Sequence, residues 1–255
     1  MNTSENTILI TGGGSGIGRA LAESFHQRGN KVIIAGRRLA VLQETTRANP
    51  GMVAVTVDIE SPEAIHRFAE KLTRDFPALN VVIHNAGIMK PEDLLAQAGD
   101  VSIAEATIAT NLLGPIRLNS ALLPHLQMQS RATIMTVSSG LAFVPMFPTP
   151  TYCATKAAVH SYTQSLRYQL RGTAIEVLEL APPYVQTELM GPSQASDPHA
   201  MPLREFITEV MQLLETTPTP EEILVGRVKP LRFAEKSGDY GAFYETFNQA
   251  MAGHR

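Results

Sequence analysis

A run of aliphatic and β-branched residues, Thr7-Ile8-Leu9-Ile10-Thr11, ends abruptly in a glycine cluster, Gly12-Gly13-Gly14-Ser15-Gly16-Ile17-Gly18. The run reads as a buried strand. Behind the cluster, Ile17, Leu21 and Phe25 recur at helical spacing as far as Gly29, a helix stop. A strand, a glycine turn and a helix make half of a βαβ unit, and the chain goes on repeating it. Short apolar runs at 31–35, 53–57, 81–83, 132–137 and 175–180 read as further strands. Helical patterns separate them. One opens with Ser61 as N-cap and Pro62 in its first turn, turning Ile65, Phe68 and Leu72 inward. Others cover about 102–126 and 151–171. This alternation implies an α/β fold, a doubly wound parallel sheet of six or seven strands with helices on both faces. Ligands of such sheets bind beyond the carboxyl ends of the strands, where the strand order reverses.

After Pro182 the pattern changes. The segment Gly-Pro-Ser-Gln-Ala-Ser-Asp-Pro-His-Ala-Met-Pro over 191–202 reads as a loop, and the amphipathic stretch 203–214 carries Phe206, Ile207, Val210, Met211 and Leu214 on one stripe. Residues 188–215 are therefore expected to form a substrate lid. Thr219-Pro220-Glu221-Glu222 resembles a helix start, and helix bent at Pro230 is expected over 221–235 in place of a seventh strand. A last helix is expected over about 240–251. There is no internal repeat, and the whole of 1–255 is expected to be one domain with a helical C-terminal extension.

Charge and composition exclude several classes of partner. The formal net charge of −3 leaves no basic footprint for nucleic acid. No apolar run approaches the roughly 20 residues that span a bilayer, and polar residues 1–6 lead straight into a strand, so no signal peptide and a cytoplasmic location are expected. One cysteine, Cys153, excludes an internal disulfide and a cysteine-rich zinc site.

The glycine cluster suits a dinucleotide. Glycines let a diphosphate approach the backbone, and the helix behind them offers free N–H groups and a partial positive charge. The spacing is T-G-x-x-x-G-x-G and not the G-x-G-x-x-G of the usual Rossmann fingerprint, so a Rossmann-like sheet of a different type is expected. An acid that would bind a ribose 2′-hydroxyl is missing after the second strand, where Ala35-Gly36-Arg37-Arg38 stands instead. Arg37 and Arg38 match a 2′-phosphate in charge and geometry. NADP(H) is preferred as cofactor, with NAD(H) left open.

A second motif carries acid–base chemistry. Tyr152 and Lys156 are four residues apart, on one helical face, and Ser138-Ser139 end an apolar strand. A phenol is a poor acid–base catalyst near neutrality unless a nearby cation lowers its pKa, which Lys156 could do. A serine beside the phenol could hold a carbonyl oxygen. Such a site moves a proton to or from an alcohol or ketone oxygen.

With these motifs in this order, the chain resembles the short-chain dehydrogenase/reductase family, single-domain branch, from Ile8 to about Leu189. Its tail, Met201-Pro-Leu-Arg onward, resembles that of bacterial DltE-type oxidoreductases. The resemblance implies a catalytic tetrad of Asn111, Ser139, Tyr152 and Lys156, with twelve residues between Ser139 and Tyr152 selecting Ser139 over Ser138. It implies that Gly12, Ser15, Gly16, Ile17 and Gly18 line a diphosphate. Asp58 and Ile59 would flank the adenine, and Asn85, Ala86 and Gly87 the adenosine and its ribose. Pro182, Val185 and Thr187 would meet the nicotinamide side, together with Tyr152 and Lys156. Asn111 would interrupt its helix and hold a water beside Lys156. The implied activity is hydride transfer between nicotinamide and a carbonyl or secondary alcohol, with Tyr152 as general acid and base. A non-enzymatic NADP(H)-binding redox sensor is the alternative.

The chain departs from the family pattern in places. His84 replaces a common asparagine and reads as a packing or hydrogen-bonding substitute. Pro182-Pro183 replaces Pro-Gly, stiffening the loop above the nicotinamide. Cys153 reads as space-filling, and no metal site is expected. Phe143, Met146, Phe147 and Met190 suggest a partly hydrophobic small-molecule substrate, although core packing would account for them equally well. The missing seventh strand favours a homodimer over a tetramer.

Overall fold

Strand β1 (Thr7–Thr11) is buried at all five positions, as its unbroken apolar run requires of a central parallel strand. The computed structural model describes residues 1–96 and 99–252. From β1 the chain enters α1 (Gly16–Gln27), β2 (Lys31–Gly36), α2 (Leu39–Ala48) and β3 (Val53–Thr56). It continues through α3 (Pro62–Asp75), β4 (Leu79–His84), α4 (Ser102–Ile108) and α5 (Gly114–Gln127). Then come β5 (Ala132–Val137), α6 (Pro150–Gln169), β6 (Ile175–Leu180) and the short α7 (Pro192–Ala195). Helix α8 (Leu203–Leu214), β7 (Glu222–Ile223), α9 (Lys229–Arg232) and α10 (Tyr240–Ala252) complete the described chain.

The strands form one parallel sheet in the order β3-β2-β1-β4-β5-β6-β7. The order reverses between β1 and β4, so a crevice opens at their carboxyl ends. Two apolar layers cover the sheet. On one face Leu21 and Phe25 of α1 pack with Phe206, Val210 and Leu214 of α8. On the other, Ile65, Phe68 and Leu72 of α3 meet Leu118 and Leu122 of α5 and Leu166 of α6. The expected helix start at Ser61 forms: its hydroxyl accepts from Ala64 N at 3.2 Å, and Pro62 follows at the first helical position. Gly29, with φ +80°, ends α1 in the left-handed region that glycine reaches without strain. No helix among the described residues is long and apolar enough to cross a membrane.

Three sequence expectations need correction. A seventh strand does form, because Glu222 and Ile223 pair in parallel register with Glu179 and Leu180. Two residues are too few to leave a periodic signature, and the backbone of β6 supplies the pairing. Thr219-Pro220 therefore opens a strand, and 221–235 holds only single helical turns, among them α9. Part of the segment expected as a lid over 188–215 is instead core, because the stripe of α8 is buried against α1. Only 188–202 retains exposed apolar side chains, Leu189 and Met190.

Candidate active site

The glycine loop lies at the reversal point and is lashed to the end of β4. Thr11 Oγ1 accepts from Asn85 N and Ala86 N, both at 3.1 Å. Asn85 Nδ2 donates to Thr11 O at 3.1 Å and Gly12 O at 3.2 Å. The Asn85 amide thus shapes the loop. A Cβ on Gly18 would lie 2.3 Å from both Asn85 Nδ2 and Gly12 O, so only glycine fits. Gly12 and Gly16 have φ of +67° and +52°. Ser15 caps α1 in extended conformation without a side-chain cap bond, and no acid stands in the first turn. The loop therefore offers an uncompensated positive helix end behind a close-approach turn, which fits a diphosphate.

Beyond β2 and β3, Arg37 Nη1 pairs with Glu60 Oε1 at 2.8 Å and its side chain is 53% exposed. Thr110 Oγ1 donates to the same Glu60 oxygen at 2.7 Å. Arg38 is exposed at the start of α2. Asp58 caps a local turn, accepting from Glu60 N at 3.1 Å. Ile59 is buried beneath Gly114, where a Cβ would come within 2.6 Å of it. A cleft of about 460 Å³ flanks Arg37 and Asp58 along the β3 edge, with Arg67 and Lys71 on its other wall. It is remote from Tyr152.

Ser139, Tyr152 and Lys156 converge where β5 ends and α6 begins. Tyr152 is 7% and Lys156 5% exposed. The Ser139 hydroxyl stands near enough to the Tyr152 phenol to act on its ionisation, and it accepts from Leu141 N at 3.1 Å. Lys156 Nζ donates to Val137 O at 2.8 Å and stands 5.5 Å from the centre of the Tyr152 ring. Burial pushes the phenol above its ordinary range, with Ser139 partly opposing. That is opposite to the lowering expected from Lys156: removal from water disfavours the charged phenolate. Burial also lowers Lys156 to about 8, with the field of Glu179 opposing. Ser138 turns the other way and donates to Glu179 Oε1 at 2.5 Å. Of the two serines it is Ser139 that acts on the phenol.

Asn111 sits in a π turn, Ala109–Leu113, that interrupts the helix between α4 and α5 as expected. Its amide clasps one residue at both ends: Ile88 N donates to Oδ1 and Nδ2 donates to Ile88 O, each at 2.9 Å. Nδ2 also approaches Thr155 Oγ1 at 3.3 Å. A Cβ on Gly87 would lie 3.3 Å from Asn111 Oδ1 and 3.8 Å from Lys156 Nζ, so Gly87 keeps the space between them open.

On the other side, Pro182 O accepts from Gly140 N at 2.8 Å. Val185 is buried and bridges Met201, and Thr187 Oγ1 accepts from Gln194 Nε2 at 3.1 Å. The methyl end of Thr187 faces Gly16, 3.5 Å from where a Cβ would stand. Cys153 is buried, accepts from Met146 N at 3.2 Å, and has its thiol pushed up by burial, which suits packing. His84 bonds Asn119 Oδ1 at 2.6 Å and burial lowers it to about 4, a neutral hydrogen-bonding group and no ligand.

The apolar wall differs from expectation. Met146 packs with Met89, Tyr152 and Cys153, and Phe247 and Met251 of α10 complete that cluster. Asn248 pins α10 there, accepting from Phe147 N at 2.8 Å and donating to Pro145 O at 3.1 Å. Phe143, expected in the wall, turns away to meet His160 edge-on at 4.9 Å with the Arg232 guanidinium over its ring. Sequence reasoning missed Met89, Phe247 and Met251, which no local pattern links to Tyr152. It also passed over His160 and Glu179. Their signals were present: His160 continues the i, i+4 series of Tyr152 and Lys156, and Glu179 is an acid inside an apolar strand.

Residues 6–198 match the family model described as short chain dehydrogenase. The chain is 38% identical over 251 residues to the uncharacterized oxidoreductase DltE of Bacillus subtilis, covering 97% of this chain and 98% of that protein. Its fold is similar to a short chain dehydrogenase from Burkholderia cenocepacia in complex with NADP, with TM-score 0.82 at 24% identity over 96% and 98% of the two chains. A short chain dehydrogenase/reductase from Burkholderia phymatum in complex with NAD is similar too, with TM-score 0.77 at 21% identity over 94% and 95%.

Proposed function

The chain belongs to the short chain dehydrogenase family and is an NAD(P)-dependent oxidoreductase, and from that premise we propose that it interconverts a carbonyl and a secondary alcohol, with NADP(H) preferred. The convergence of Ser139, Tyr152 and Lys156 at the carboxyl end of β5 carries this reading. Bound NADP(H) would supply or accept the hydride. In the reducing direction Tyr152 donates its proton to the carbonyl oxygen, and in the oxidising direction it takes one from the hydroxyl. A phenol held protonated by burial is suited to the first role. Ser139 donates a second hydrogen bond and fixes the substrate oxygen. Lys156 binds the ribose hydroxyls and favours the phenolate when the reaction calls for it. Asn111, locked beside Lys156 by Ile88, holds a water that links the ammonium to solvent. Acid–base catalysis of this kind contributes about 10²- to 10⁴-fold.

The cofactor would lie across the sheet. Gly12, Ser15, Gly16, Ile17 and Gly18 take the diphosphate, and Arg37 and Arg38 the 2′-phosphate, with Arg37 exchanging Glu60 for it. Asp58 and Ile59 flank the adenine, and Ala86 and Gly87 the adenosine, behind the loop that Asn85 shapes. Pro182, Val185 and Thr187 meet the nicotinamide end. The substrate is a small, partly hydrophobic carbonyl or alcohol, a reading supported by Met89, Met146, Phe247 and Met251 around Tyr152. A panel of aldehydes, ketones and quinones, assayed with NADPH and NADH in parallel, tests both halves of the proposal. Turnover with NADPH ahead of NADH is expected. Tight NADPH binding without turnover on any member would overturn the enzymatic reading.

A further inference from the structure

Among the described residues, Lys156 and Glu179 are the buried side chains of the Lys/Arg and Asp/Glu types. Glu179 sits inside β6 at 0% exposure, beneath the residues that hold the reacting oxygen. Its carboxylate accepts from Ser138 Oγ at 2.5 Å and from His160 Nδ1 at 2.8 and 3.0 Å. Because a carboxylate only accepts, the Nδ1 nitrogen carries the proton. Ser138 precedes Ser139, and His160 follows Lys156 by one turn of α6. Across the strand pair, Glu179 stands in register with Glu222, a second acid. Like charges so placed repel. Arg232 answers with both nitrogens on Glu222, at 2.6 and 2.8 Å. His160, Glu179 and Glu222 could hold a metal by spacing alone. The guanidinium already provides the counter-charge there.

An apolar pair would fill this position at lower cost than two acids and their partners. The chain instead keeps a buried charge behind its reaction centre, where such groups are usually functional. We propose that Glu179 is a positioning residue for the reaction: held by Ser138 and His160, its carboxylate balances the buried ammonium of Lys156, and through Glu222 and Arg232 it ties that ammonium to the C-terminal segment. The inference rests on the reading of Lys156 as the cation that serves Tyr152. The charged groups facing the network are His160 and Lys156 of α6, Glu222 of β7 and Arg232 of α9, with Arg167 and Glu235 farther out. The field of Glu179 acts on Lys156.

The full chain, labelled with ¹³C at lysine Cε, allows a direct test without any substrate. Its six lysines give few resonances, and Lys156→Arg assigns the one that matters. Glu179→Gln removes the charge and keeps the shape, so the Lys156 midpoint should fall by about one unit, a tenfold change in ionisation. Glu179→Asp keeps the charge and should stay near the wild type. An unchanged midpoint in Glu179→Gln overturns the proposal. Should that variant not fold, Glu222→Gln tests the same network: it removes the neighbouring acid and frees Arg232 beside Glu179, so the Lys156 midpoint should fall there too. An unchanged midpoint in Glu222→Gln overturns the proposal as well. A shifted midpoint alongside inactivity of the wild type on the whole carbonyl panel would instead sink the proposed function and leave the network standing.

Discussion

The ammonium of Lys156 lies 5.5 Å from the centre of the Tyr152 ring, one helical turn further along α6. Both side chains are buried, and burial acts on them in opposite directions: it raises the phenol and lowers the amine. Each group is thereby pushed toward its neutral form. Neutral phenol is the proton donor that carbonyl reduction needs.

Replacing Tyr152 by Phe removes the donor and little else. Turnover should fall by about 10²- to 10⁴-fold, while the cofactor dissociation constant, read by NADPH fluorescence, stays within about threefold. A variant that keeps more than about a tenth of wild-type kcat would remove the phenol from the mechanism.

Among the described residues Arg37 is paired only with Glu60, at a half-exposed site. Such a pair contributes at most about 1 kcal/mol, so a 2′-phosphate can displace it. For Arg37→Ala we expect KM for NADPH to rise about tenfold, a typical cost for one charge-assisted contact, with KM for NADH unchanged. Equal changes for the two cofactors would place Arg37 outside the phosphate site.

Asn111→Leu should leave Ile88 N–H and C=O without their partners. Each buried unsatisfied group costs about 1–3 kcal/mol. Urea unfolding should therefore show a loss of about 2–5 kcal/mol with the m-value retained. A loss below about 1 kcal/mol would mean that the clasp does not order the 87–88 segment.

His84 connects stability to pH. Burial lowers it from 6.5 to about 4, with the Asn119 bond opposing. Between those values the unfolded chain takes up a proton that the folded chain refuses. The stability is thus fully present above 6.5 and is lost as pH falls toward 4, on the order of 3 kcal/mol in all. His84→Asn should flatten this part of the stability curve relative to the wild type. Parallel curves from pH 7 to pH 4.5 would show that another group governs acid sensitivity.

The parts of the fold that were legible in the sequence are those governed by neighbours a few residues away. The buried five-residue run of β1, the glycines after it, the Ser61-Pro62 helix start and the Tyr152–Lys156 spacing all express local rules, and each lies where those rules put it. Parallel strands buried on both faces leave a continuous apolar signal, so six of the seven were visible. Strand β7 was not, because two residues carry no period and their pairing belongs to β6.

For the site, the sequence by itself determined which chemical groups are available and their order along the chain: a glycine turn, two arginines, an asparagine, a serine, a tyrosine and a lysine. Tertiary structure alone decided what state they are in. Ile88 meets Asn111 across 23 residues, Glu179 meets His160 across 19, and Phe247 and Met251 reach the Tyr152 cluster from the far end of the chain. Desolvation and charge balance depend on everything packed around a group, so a pattern of neighbouring residues cannot carry them. The proton on Tyr152 and the counter-charge of Lys156 are properties of the folded interior.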